Sequence, residues 1–170
     1  MQTLHAQMPL LYLVAYIKIR NIVRIVKWSR YLLVSAIVFY VLYDIVSTLA
    51  AYNFLGSFEY EKSFLIKAAF DVAGVPGFIT LKIVMSAAAI SAAYLLMEHY
   101  TKLRAFGAGI LGGATVAGLF VGTSNFNILL NGSSIWILGL DSGTIAAIII
   151  VIFAGAGLLM SRPEPARIVR

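Results

Sequence analysis

The chain has 170 residues, of which 61% are hydrophobic and 12% are charged, with a formal net charge of +6. Soluble globular domains carry about 25% charged residues, so this composition excludes a soluble fold and indicates one membrane domain of a few helices. The absence of cysteine excludes disulfides, thiolate metal sites and cysteine nucleophiles, and the two histidines argue against a histidine-rich metal centre. We therefore expect neither a metal nor a cofactor.

Residues 1–30 form a basic segment ahead of the first long apolar run. Lys18, Asn21, Arg24 and Lys27 recur at three-residue intervals, and aliphatic residues fill much of the remaining circumference. This pattern predicts a cationic helix over about residues 9–27 that lies along the inner leaflet and attracts anionic lipids. The same cations would serve equally well as a stop signal for the first span. Because they flank apolar spans, they do not indicate a nucleic-acid partner.

Four apolar runs are long enough to cross a bilayer as helices, which takes roughly 20 residues each. They cover residues 31–55, 75–97, 105–122 and 144–160. The predicted fold is therefore all-α, a four-helix membrane domain over residues 31–160 that is followed by a basic tail, 161–170. The apolar stretch 135–140 is too short to span, and we expect a bent entry or a shallow re-entrant segment there.

Lysine and arginine near the ends of spans are retained on the cytoplasmic side of a membrane. Basic residues precede the first span, follow the fourth and separate the second from the third at Lys102 and Arg104. The sequence thus predicts a multi-pass protein of the cell membrane with both termini in the cytoplasm. Residues 56–74 and 123–142 would then face outward, and Trp136 would lie near the outer boundary.

The first outward loop carries Glu59 and Glu61 among basic, aromatic and aliphatic residues, ahead of a turn at residues 74–77. One interpretation is an acidic mouth that attracts cations. The other is the solvated face of a short amphipathic helix that rests on the outer interface, where charges cost little.

Two isolated charges lie inside the predicted spans, where charges are costly and usually functional. Asp44 shares a helical face with Tyr40, Ser47, Thr48 and Ala51, and Lys82 shares one with Phe78, Ser86, Ala89 and Ala93. Small residues at these spacings allow helices to approach closely, so we expect the two faces to meet and the two charges to pair. The pair would be either a self-satisfying structural ion pair or a site that relays an ion or proton or anchors a ligand.

The third predicted span is rich in glycine. The pairs Gly109 and Gly113, and Gly118 and Gly122, have the small-x-x-x-small spacing that allows tight backbone packing. The spacing predicts close helix contact, either within the four-helix bundle or across an interface in a homo-oligomer or larger complex.

The pattern Asp44-x-x-x-Thr48, then Gly56-x-x-Glu59-x-Glu61, then an intramembrane Lys82 resembles a family of small prokaryotic, especially archaeal, integral membrane proteins. In that family a span with an aspartate and a threonine precedes a Gly-x-x-Glu loop and a span with a lysine. The resemblance covers residues 44–82, and the family carries no assigned activity. It implies that Asp44, Thr48, Glu59 and Lys82 matter, without naming their role.

The sequence contains no phosphate-binding glycine loop, no paired-histidine metal motif and no Ser-His-Asp arrangement. Three functions remain open. The first is a small transporter of an ion or solute that uses Asp44 and Lys82. The second is an accessory subunit that packs against larger partners through its third span, and the third is a lipid-modifying enzyme with a site in the outer half of the membrane.

Overall fold

The computed structural model describes residues 28–58, 61 and 63–161. The basic segment that precedes Trp28, the acidic residue Glu59 and the C-terminal tail after Ser161 lie outside the described residues, as do the predictions made for them. Regular secondary structure in the described chain is helical. Four helices form it: α1 over Trp28–Leu55, α2 over Phe64–His99, α3 over Arg104–Asn131 and α4 over Ser142–Met160.

All four helices are long and apolar enough to cross a membrane. This confirms the predicted all-α fold with four spans, and the chain is a multi-pass membrane protein. A short 3-10 turn, Thr101–Leu103, joins α2 to α3. Beside it, the side chain of Arg104 donates from Nε to the carbonyl of Met97 at 3.0 Å.

The helix α2 begins earlier than the predicted second span and is kinked. Ser63 caps its first turn, and Gly74 interrupts the helical conformation with φ 61° and ψ −150°. Only glycine adopts this backbone region readily, and Pro76 lacks the amide hydrogen that a regular helix would use. The short helix predicted ahead of the turn is thus joined to the span across the kink. Its outer surface exposes Phe64 and Val72.

The helix α3 is longer than predicted, because it continues through Asn131 instead of ending at Gly122. The assignment of residues 123–131 to an outward loop was therefore wrong. Ser124 and Asn125 are buried, and the Thr123 hydroxyl donates to the Leu119 carbonyl at 2.7 Å. Polar side chains that indicated a loop are used inside the bundle, and the helix ends at Gly132, whose φ of 69° is left-handed.

Residues 137–140 form a tight turn within the stretch for which the sequence predicts a bent or shallow re-entrant segment. Ile137 and Leu140 exchange both backbone hydrogen bonds, at 3.1 and 2.9 Å. The amide of Ile135 donates to the Ser124 hydroxyl at 2.9 Å, which fastens the turn to α3. Asp141 then caps α4 by accepting from the Thr144 amide at 3.0 Å, and this bond holds the pKa of the Asp141 carboxyl below its ordinary value.

The helix α3 is the central helix, because α1, α2 and α4 all pack against it. Its glycines permit this. A Cβ atom on Gly113 would lie 3.0 Å from the Cα of Ile150 in α4, and one on Gly109 would collide with the Phe153 carbonyl. On the side of α1, a Cβ on Gly118 would lie 2.5 Å from the Cα of Tyr40, and one on Gly122 would collide with the Tyr43 ring. Both glycine pairs therefore serve contacts within the bundle.

Candidate functional site

The two intramembrane charges form an ion pair between α1 and α2. The ammonium nitrogen Nζ of Lys82 lies 2.7 Å from Oδ2 of Asp44, and the side chains are 14% and 9% exposed. Asp44 follows directly on a π-helical segment of α1, Ile37–Tyr43. Because π-helical turns are rare and frequently mark functional sites, the position of the pair beside one is informative.

A hydrogen-bond network from α3 holds the carboxylate of Asp44. The Thr48 hydroxyl donates to Oδ1 of Asp44 at 3.2 Å. Asn125 in turn donates from Nδ2 to the hydroxyl of Thr48 at 3.0 Å and to that of Ser47 at 3.1 Å. Both oxygens of the carboxylate thus have a donor, Thr48 on Oδ1 and Lys82 on Oδ2.

The ammonium of Lys82 is less completely paired than the carboxylate. Within the described part of the chain its hydrogen-bond acceptor is Oδ2 of Asp44 alone. It also lies 5.4 Å from the centroid of the buried Phe78 ring, a cation–π distance. A lysine ammonium has three N–H donors, so Lys82 keeps donor capacity for a further acceptor.

A cavity of about 270 Å³ opens beside the pair, and all four helices contribute to its wall. Its polar side consists of residues from α1, α2 and α3: Tyr40, Asp44, Thr48, Lys82 and Asn125. Glu61, Ser142 and Gly143 line it at the end of the bundle where α4 begins, and we call this end of the cavity its mouth. The remaining wall is apolar, with Val121 from α3 and Ala146, Ala147 and Ile150 from α4.

The structure brings together Asp44, Thr48 and Lys82, and it places Glu61 at the mouth of the same cavity. Ser86 is buried one turn along α2 but lies outside the cavity lining. The predicted stripe on α2 is wrong at Ala89, which is exposed, whereas the next residue, Ile90, is buried. At 3.6 residues per turn Ala89 lies to one side of Lys82 around the helix, whereas the buried Ser86, Ile90 and Ala93 lie to its other side, so the buried face of α2 is displaced from Lys82.

Asn125 is the site residue that the sequence analysis missed, because it fell in a stretch read as a loop. The spacing of the glycines before Asn125 indicates its position. Asn125 follows Gly118 and Gly122 at the i+7 and i+3 positions, so a helix continued past Gly122 places all three on one face. That face is the one that contacts α1.

Comparison with known proteins finds no family model, no curated protein and no solved structure that matches this chain. Its function is therefore argued from the geometry of the site.

Proposed function

We propose that the protein is a small transporter that binds a polar solute at the Asp44–Lys82 pair and moves it across the membrane. The observation that carries the proposal is the position of the pair on the wall of a cavity inside an apolar bundle. An ion pair that served stability alone would be enclosed by packed side chains. Here the ammonium of Lys82 has one acceptor among the described residues, Oδ2 of Asp44, and lies beside a space that can hold a solute.

The lining of the cavity reaches the end of the bundle where α4 begins. Its mouth carries Glu61 and Ser142. In the opposite direction α2 and α3 contribute buried apolar residues, including Ile90, Ala93 and Leu111. In the proposed carrier the solute would enter at the mouth, and its release to the other side would require the apolar half of the bundle to open.

We further propose that the mouth of the cavity faces the outside of the cell and that both termini are cytoplasmic. Arg30, Lys102 and Arg104 lie at the end opposite the mouth, whereas Glu61 and Asp141 lie at the mouth. The positive-inside rule assigns the basic end to the cytoplasm. The proposed site therefore receives its solute from outside the cell.

The accessory-subunit interpretation relied on the glycines of the third span as a surface for a partner. In the structure α1 and α4 pack against those glycines, so a side chain from another protein has no space there. This favours the transport proposal over an accessory role through α3.

The test is flux into proteoliposomes made with the purified full chain, using glycine, phosphate and potassium as labelled solutes. We expect the wild type to transport at least one of them, and the double variant Asp44→Asn with Lys82→Met to lose that flux while remaining folded. Asp71→Asn, an exposed charge on α2 outside the cavity lining, is the matched control and should retain it. Transport by the double variant at the wild-type rate would contradict the proposal.

A further inference from the structure

We infer that the solute held by this site is a zwitterion, with its acid group on Lys82 and its ammonium group at Glu61. The inference rests on the proposed function and specifies the class of ligand. The observations that carry it are the hydrogen-bond capacity of each charged group and the position of Glu61 on the same cavity as the ion pair.

The N–H donors of Lys82 that Asp44 does not use can bind an acceptor on the ligand. Thr48 and Lys82 each occupy one oxygen of Asp44, at 3.2 and 2.7 Å, so the ammonium is the group of the pair with capacity left over. A carboxylate or phosphate oxygen would meet that capacity with charge-assisted hydrogen bonds. The N–H groups of Lys82 cannot coordinate a bare cation, so the remaining donor capacity of Lys82 does not form a cation site.

The mouth disfavours a simple anion. Glu61 lines the cavity, and its Oε1 accepts a hydrogen bond from the Ser63 amide at 2.8 Å. Asp141 adds a second carboxylate beside the lining residues Ser142 and Gly143. A ligand with acid charge alone would pass these carboxylates without compensation, whereas an ammonium group on the same ligand would pair with Glu61.

The N-terminus of α4 is not an alternative binding position for the acid group of the ligand. Helix N-termini attract anions through free amide hydrogens. Here Asp141 already accepts from both the amide and the hydroxyl of Thr144, each at 3.0 Å. Lys82 is thus the cationic group in the described lining of the cavity.

The size of the cavity also fits a solute larger than an ion. A water molecule occupies about 30 Å³ of liquid, so a space of about 270 Å³ accommodates a solute of several heavy atoms. The apolar wall from Ala146, Ala147 and Ile150 would contact the uncharged part of such a solute. An amino acid and an aminophosphate lipid headgroup share this chemistry, and the experiment separates the two sources.

The experiment measures binding by calorimetry to the full chain in nanodiscs of phosphatidylglycerol, a lipid without an ammonium group. The soluble probes are glycine and O-phosphoethanolamine as zwitterions, acetate as the acid alone and ethylammonium as the cation alone. We expect at least one zwitterion to bind about tenfold or more tightly than either single-charge probe. Equal binding of acetate and the zwitterions would overturn the inference, as would binding of neither zwitterion.

Glu61→Gln tests the inference without disturbing the ion pair, because Glu61 lies at the partly exposed mouth. It should reduce the preference for the zwitterion over acetate about tenfold, and Asp71→Asn should leave it unchanged. An unchanged preference in Glu61→Gln would also overturn the inference.

A second arm uses nanodiscs that contain phosphatidylethanolamine. Loss of binding of the soluble zwitterion there would identify a lipid headgroup as the competing source, and retention would identify a soluble solute; either result supports a zwitterion site. The proposed function fails separately. Flux of phosphate or potassium that depends on Lys82, with no zwitterion bound, would refute the ligand class alone, whereas absence of both binding and flux would refute the transporter itself.

Discussion

At the scale of single residues, the site depends on a buried aspartate, a half-buried lysine and the polar groups that hold them. The contact between Lys82 and Asp44 brings charges from two helices to 2.7 Å, and Asn125 adds a third helix through Ser47 and Thr48. In a low-dielectric interior each member of such a set is tolerated because of its partners. Removal of one member should therefore lower the stability of the protein by more than the energy of the contacts that this member makes.

The ion pair should show strong coupling between its two members. Asp44→Asn or Lys82→Met alone leaves an uncompensated buried charge, which costs roughly 3–5 kcal/mol of stability. The double variant removes both charges and should recover much of that loss. Thermal unfolding of the four proteins in one detergent measures the coupling. Additive destabilisation in the double variant would mean that the two side chains do not interact in the membrane.

Asn125 should stabilise the contact between α1 and α3 by a smaller amount. Asn125→Leu removes two interhelical hydrogen bonds, and such bonds in membrane proteins contribute about 0.6–2 kcal/mol each. Asn131→Ala is the control, because Asn131 is exposed and its amide donates to Oδ1 of Asn127 on the same helix. We expect lower thermal stability for Asn125→Leu and no change beyond about 0.5 kcal/mol for Asn131→Ala. Equal effects would show that the network does not join the helices.

At the scale of elements, the position of the site depends on how α1 lies on α3. The π-helical segment Ile37–Tyr43 of α1 faces Gly118 and Gly122, where the absence of side chains allows the backbones to approach closely. Asp44 follows this segment directly, so the same approach brings Asp44 within reach of Lys82 and places Thr48 within reach of Asn125. Glycine spacing in α3 and charge pairing across α1 and α2 are thus parts of one arrangement.

This dependence predicts a sharp difference between two glycine-to-alanine changes. Gly118→Ala would place a methyl group 2.5 Å from the Cα of Tyr40 and force α1 outward, an overpacking that costs about 1–3 kcal/mol. Gly155→Ala is the matched control in α4, because a Cβ there meets nothing within 4 Å. It should be neutral or stabilising by up to about 1 kcal/mol. Thermal unfolding and solute binding are measured for both variants. Unchanged stability in Gly118→Ala would mean that α1 lies farther from α3 than described.

At the scale of the whole molecule, the sequence predicts the features that lipid enforces. Each unpaired backbone group in hydrocarbon is costly, so apolar runs become helices and their number follows from hydropathy. The meeting of Asp44 with Lys82 follows from the same cost, applied to charge. The end of α3 did not follow, because Ser124 and Asn125 have the polarity of a loop and become helical through partners on other segments. Glu61 could be placed in a loop from the sequence, but its position on the cavity depends on where α4 begins.

The orientation of the whole molecule gives the last prediction. The chain has no cysteine, so a single introduced cysteine is its only thiol. Ser133→Cys lies on the exposed loop after α3, at the proposed outer end, and Thr101→Cys lies in the exposed turn beside Lys102, at the proposed cytoplasmic end. In intact cells an impermeant maleimide should label Ser133→Cys and spare Thr101→Cys, because basic turns are retained inside. Permeabilised cells should label both, which controls for access to the Thr101 position. Labelling of Thr101→Cys alone in intact cells would mean that the protein has the opposite orientation in the membrane. The mouth of the cavity with the Asp44–Lys82 pair would then face the cytoplasm.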